Sequence, residues 1–373
     1  RLRYTNTNNE NLTTVDDASH MFNQRLKLDG TYRAGEKFSL TYTLLHNTEW
    51  GQGGMDGTFD DTLGGTFTAS SANSLMVNNA YANWMASDDM SFRAGRFSIQ
   101  LAGGEVLSVQ DWVATPYAFE GLGMFYNTSF AHIALFGASM ADLGATTTVD
   151  PERNAYILSA DFKSLPDFMK TANVHVVQIN ANESTSSNAE SKMNVGLVVG
   201  GDVAGVSYNL AFESQGGTDG ADDLSGTMTD LALGYAFGSV KASFGYHTDS
   251  GDDAATATNN EAYNPMYYDA HRYAGLGDFA QTNWGERNPL GEGLTYMNVG
   301  ADWNGDDMGV GFHYYTFTKT VSGDAIGSEM DLVFNKKYSD NFNIGAFVAM
   351  FTPDDAVGTE TAQKAVITST WNF

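Results

Sequence analysis

The feature that most constrains this chain is a rhythm. Segments whose side chains repeat every two residues are joined by connections that are alternately short and long. Strand-like segments lie near 1–5, 20–33, 36–49, 73–87, 90–100, 119–128, 130–140, 152–163, 170–181, 191–201, 204–213, 226–237, 239–247, 293–303, 307–318, 326–337, 341–352 and 362–373. In 239–247, Val240, Ala242, Phe244 and Tyr246 share one face, and Lys241, Ser243, Gly245 and His247 the other. In 341–352, Phe342, Ile344, Ala346, Val348 and Met350 oppose Asn341, Asn343 and Gly345. This is the period of a strand between two unlike environments. Tight turns such as Ala34-Gly35-Glu36, Gly305-Asp306 and Ser339-Asp340 alternate with long connections such as 50–72, 101–118 and 248–292. A barrel with tight turns at one rim and loops at the other requires that alternation, whereas a sandwich or propeller does not. The expectation is an all-β transmembrane antiparallel β-barrel of eighteen strands, with sixteen as the alternative count. It spans 1–373 as a single domain.

The end of the chain fits this reading. Phe373, Trp371, Ser369, Ile367 and Ala365 share a strand face, as suits a last strand that closes onto the first and sets aromatics at a membrane interface. Mean hydropathy is −0.28, and no run of about twenty apolar residues exists to form a helical span. With no cysteine, thiol catalysis, thiolate metal sites and disulfides are excluded, which suits passage through an oxidising periplasm. Arg1 already lies in strand-like sequence, so the start reads as a processed product, with both chain ends expected at the periplasmic rim.

Charge is sided too. Of 45 acidic residues, 27 fall in the long connections, with only Arg272, Arg287 and Lys319 as basic companions there. Thus −24 of the net charge of −26 belongs to the expected outer face. That face would meet lipopolysaccharide, and the balance disfavours nucleic acid.

Charged side chains are costly against lipid, so those inside strands are expected to line a pore. The basic candidates are Arg1, Arg3, Arg25, Lys27, Arg33, Arg93 and Arg96; the acidic ones are Glu213, Asp230, Asp302, Glu329 and Asp331. Opposed basic and acidic walls would set a transverse field across the pore, unless neighbouring groups simply pair to stiffen the wall. The connection 101–118 is apolar for a loop, with Val106, Leu107, Val109, Trp112 and Val113 around Glu105 and Asp111. It is expected to fold inward as a constriction, the alternative being an outer cap against neighbouring loops or a partner subunit. In 248–292, Asp249, Asp252 and Asp253 offer oxygens to Ca²⁺ but lack the full loop pattern of a calcium motif. The aromatic run Tyr263 to Tyr273 either stacks on sugars or packs the loop's own core. Seven scattered histidines and no Gly-x-Ser-x-Gly give no catalytic constellation, so a passive channel for small hydrophilic solutes is expected rather than an outer-membrane hydrolase. No resident cofactor is expected, and association of subunits stays open.

Two stretches go beyond a generic barrel pattern. One is A-Y-A-N-W through A-F-E-G (80–121), with Gly95-Arg96, Asp111-Trp112 and Phe119-Glu120-Gly121. The other is H-R-Y-A-G-L-G-D-F through F-T-P (271–353), with Glu329-Met330-Asp331. Together they resemble the alginate-export type of outer-membrane channel, an eighteen-stranded family of passive porins and polysaccharide exporters. The resemblance implies a basic pore lining that includes Arg93 and Arg96. The acidic outer loops and only 19 basic residues depart from an exporter of polyanions, which favours a diffusion porin.

Overall fold

A strand that separates lipid from water must make every second side chain apolar and leaves the others free to be polar. The computed structural model describes residues 1–10, 12, 18–50, 75–104, 106–113, 116–140, 152–182, 190–220, 222–253, 259–264, 269, 271, 274–280 and 291–373. In it this pattern becomes a closed ring of eighteen antiparallel strands, not sixteen. They are β1 (Leu2–Asn8), β2 (Ala18–Ala34), β3 (Phe38–Glu49), β4 (Leu75–Met85), β5 (Met90–Phe97) and β6 (Phe119–Asn127). Next come β7 (Ala131–Met140), β8 (Glu152–Phe162), β9 (Met169–Asn182), β10 (Glu190–Val203), β11 (Val206–Asp219) and β12 (Thr227–Phe237). The ring ends with β13 (Val240–Asp249), β14 (Leu294–Asn304), β15 (Met308–Lys319), β16 (Ala325–Ser339), β17 (Phe342–Pro353) and β18 (Ala362–Trp371). Each strand pairs with the next, and β18 returns to β1 in a register running from Leu2↔Ser369 to Asn8↔Gln363. Among the described residues, none of these eighteen strands keeps an open edge, as a spanning sheet requires. Two short segments, Asp222–Leu224 and Asn259–Asn260, pair in parallel and tie together the long connections that follow β11 and β13.

The outward face is an apolar belt. Leu26, Leu28, Leu122, Val195, Val299 and Leu332 stand on it, from 41% to 68% exposed. At the short-turn rim, Phe342 stacks on Tyr338 at 5.4 Å and on Trp371 at 5.2 Å, and Trp84 stacks on Phe92 at 5.6 Å. Such aromatics suit the boundary between hydrocarbon and headgroups.

The inward face is of two kinds. On β16–β18, Asn335, Asn343, Thr368 and Thr370 line open space, as a wet lumen leads one to expect. On β7–β9 the inward side chains are apolar as well. Phe136, Ala138, Ala155, Ile157, Val177 and Ile179 are buried against Ile99, Leu101, Val106 and Leu107 of the connection between β5 and β6. The interior is thus not wet throughout: this wall is dry because a loop covers it.

Histidines cross-brace the inner wall. His175 of β9 reaches Glu213 of β11 at 2.9 Å, across the intervening β10. The residue between them is Gly196, and a Cβ there would lie only 2.0 Å from Glu213 Oε1 and 2.2 Å from His175 Nε2. Glycine at 196 is what lets side chains two strands apart meet.

Candidate functional site: a constriction built by two loops

The connection between β5 and β6 leaves the wall at Phe97 and crosses the lumen. Its stem, Leu101 and Leu107, forms an isolated bridge and lies on the dry wall of β7–β9. By Asp111 it has reached β1 and β2 on another part of the ring. There arginines hold its backbone. Arg1 donates to the Asp111 carbonyl at 3.1 Å, Arg3 to the Trp112 carbonyl at 2.8 Å, and Arg25 to the carbonyls of Asp111 and Val113 at 3.1 and 3.4 Å. Arg25 Nη2 also meets the Asp111 carboxylate at 2.9 Å. The period of two explains the convergence. Arg1 and Arg3 share the inward face of β1, and Arg25 that of β2, while Leu26 and Leu28 take the lipid side.

A second loop meets the first. The Arg3 guanidinium lies 3.6 Å from the Trp112 ring centroid, and His271 stacks on Trp112 at 3.6 Å with 15° between planes. Stacked cation and aromatic contacts of this kind contribute about 0.5–2 kcal/mol each. His271 Nδ1 stands 2.9 and 3.0 Å from the two carboxylate oxygens of Asp278, which also pairs with Lys364 of β18. Burial would raise the Asp278 carboxyl, but the hydrogen bond and charge of His271, together with Lys364, hold it below the ordinary carboxylate range. Glu329 Oε1 accepts the Gly277 amide at 2.8 Å, and Asp331 Oδ2 accepts that of Leu276 at 3.0 Å. Gly275 makes this approach possible: its φ is +90°, and a Cβ would lie 2.4 Å from Glu329 Oε1. Segment 274–280 is thus pinned to β16 and β18. The two loops meet beside a cavity of about 980 Å³ that opens towards the short-turn rim, lined by Arg1, Arg25, Lys27, Asp29, Asn343 and Thr370 among others.

The remaining sequence candidates fall into place as follows. Lys27 borders the cavity and pairs with Asp29 at 3.4 Å. Arg93 faces the lumen on the dry side, donating to Asn83 at 2.9 Å with its guanidinium 4.4 Å from the Tyr81 ring. Arg96 is a correction. It pairs in register with Ala80 and Glu120, on the face that carries Leu122, and its guanidinium meets the Glu120 carboxylate at 3.5 Å on the outer wall. Arg93 and Arg96 are three residues apart in one strand, so alternation sends them to opposite faces. The constriction arginines are Arg1, Arg3 and Arg25 instead.

The acidic candidates are not the partners of these arginines. Glu213 meets His175, Asp230 meets His247 at 3.0 Å, and Asp302 meets His313 at 3.1 Å, while Glu329 and Asp331 accept loop amides. Opposed bare walls of charge are therefore replaced by local compensation. Asp249 stands 3.1 Å from His247 on the wall and apart from its expected calcium companions; Asp252 and Asp253 gather with Glu261 instead, their ligand oxygens within 4.8 Å of one another. Tyr263 packs with Val198, Ala211 and Met228, and Asn194 donates to its hydroxyl at 3.1 Å, so here the aromatic packs rather than waits for a sugar. Glu105, Arg272, Arg287 and Tyr273 lie outside the described residues. The sequence reading missed segment 274–280; its signal was Gly275-x-Gly277-Asp278, small residues beside a carboxylate inside a long loop.

Residues 1–284 match the model of a family described as alginate export. Among solved structures, a BenF-like porin from Pseudomonas fluorescens is similar, with a TM-score of 0.65 and 13% identity over 100% of this chain and 97% of that one. The outer membrane protein OpdK from Pseudomonas aeruginosa is similar as well, with a TM-score of 0.62 and 12% identity over 99% of this chain and 96% of that one. At such identities the likeness is one of fold. No curated protein is a significant match.

Proposed function

Since the chain belongs to the alginate export family of outer-membrane barrels, we propose that it is a passive channel for small hydrophilic solutes whose selectivity is set where the two loops meet. The observation that carries this reading is that residues 106–113 cross the lumen to Arg1, Arg3 and Arg25 beside an open cavity lined by charged, polar and apolar side chains. A closed ring with an apolar exterior encloses a path for water, and the narrowest point of that path decides what passes. A second reading, export of an anionic polysaccharide, draws on the family's description and on the basic clamp. The acidic outer loops oppose it. In support of a channel over a hydrolase, the solved structures of like fold include a BenF-like porin. The mouth's acidic loops suit divalent-bridged contact with lipopolysaccharide, and association of subunits fits the reading equally well.

Reconstitution in planar bilayers tests it. Stable ohmic steps that persist with small sugars and fall with larger ones support a diffusion channel. Lipid or peptide hydrolysis without conductance would replace it with an enzyme, and steps blocked only by long polyanions would favour export.

A further inference from the structure

We infer that Asp111 is a tethered counter-ion: its carboxylate occupies the guanidinium of Arg25 in place of a passing anion, and it thereby sets the ion preference of the constriction. The inference rests on the channel reading above and deepens it.

The first argument is how the loop tip is held. Four contacts to backbone carbonyls fix residues 111–113, and Trp112 is clamped between Arg3 and His271. The Asp111 carboxylate adds a single further bond, to Arg25. It is therefore the one part of the tip that can leave without undocking the rest.

The second is exposure. The Arg25 side chain is 9% exposed and that of Asp111 is 61%. The carboxylate stands on the lumen surface and covers a guanidinium that has little other access to water. Exchange with an arriving anion moves the exposed partner and leaves the buried one in place.

The third is charge. Arg1, Arg3, Arg25 and Lys27 line the cavity together with Asp29 and Asp111. Asp29 is already paired with Lys27, so Asp111 offsets the arginine cluster. A solute carboxylate offers arginine the same charged oxygen acceptor as Asp111 does. One carboxylate takes Arg25 as the other swings aside, so the buried guanidinium keeps a partner throughout. A cation meets the reverse situation, because displacing nothing leaves it facing the arginines.

Asp111→Asn keeps the size and the hydrogen-bonding reach of the side chain and removes its charge. Reversal potentials across a potassium chloride gradient should show an anion-to-cation permeability ratio raised by about threefold, since charge in a narrow path is weakly screened. Acetate should compete with chloride current at lower concentration in this variant. Asp29→Asn is the control: it also removes a lining carboxylate, and it should move the ratio by less than half as much. A ratio unchanged in Asp111→Asn overturns the inference. So does an enlarged conductance in that variant, because the carboxylate would then be holding the loop. Wild-type protein without any conductance would remove the channel reading itself, an outcome distinct from both.

Discussion

On the lumen side of β7–β9, Phe136, Ile157 and Ile179 lie dry beneath a loop; on the lumen side of β17 and β18, Asn343, Thr368 and Thr370 line an open cavity. Both walls obey the same alternation, and both turn an apolar face to lipid. What differs is what covers them. The stem of this connection is apolar and sits on the dry wall, whereas its tip offers carbonyls to arginines of β1 and β2, which border the open cavity. The loop is a strut with one greasy foot and one polar foot. Polarity of an inner wall thus reports the neighbour it packs against and need not mean water.

The sharpest way to break this comparison is to remove the strut. Deleting residues 106–113 should raise single-channel conductance about twofold or more, because the path then has the width of the wall alone. The barrel should still resist unfolding in detergent at room temperature. Unchanged conductance would place the loop away from the ion path. A smaller effect separates two arginines that look alike in sequence. Arg3→Gln should lower the anion-to-cation permeability ratio by about half, while Arg96→Gln should leave it alone, since Arg96 meets Glu120 on the outer wall. Equal shifts would mean that the outward placement of Arg96 is wrong.

The smallest effect concerns the second loop. The Asp278 carboxyl is held below its ordinary range by His271 and Lys364 despite burial. A depressed carboxyl stabilises docking above its ordinary value, and that contribution is lost only as pH falls through the lower, docked value. As pH falls from the ordinary carboxylate value towards the lower, docked one, the Asp278 contribution to the protection of 274–280 against hydrogen exchange should therefore shrink. Asp278→Asn should exchange faster throughout that window and converge with the wild type only in stronger acid. Convergence already near neutrality would exclude Asp278 as the anchor.

The strands were legible because lipid enforces a strict rule: every second residue apolar, charges turned away. All eighteen segments lie where that rule puts them, and the inward loop betrayed itself by Val106, Leu107 and Trp112 in a place where water should prefer polar residues. Arg96 was misread although the rule was in hand; an odd offset from Arg93 already sends it outward. The dry wall was also visible in part, since Val176-Val177 and Tyr156-Ile157-Leu158 are apolar on both faces. Partners across strands were not legible. That Glu213 finds His175 depends on registers through β10 and on Gly196, and register is a property of pairing, absent from any one segment.

The ring closes where β18 pairs with β1, and that seam has a consequence for the two loops. Arg3 lies on β1, Arg25 on the strand beside it, and Lys364 on β18. The groups that grip both loops therefore flank the junction that closes the ring. Tip 111–113 is held from the β1 side and segment 274–280 from the β18 side, so the stack of Trp112 on His271 bridges the seam. A sheet open at this junction has each loop in hand separately; only the closed ring brings the two together.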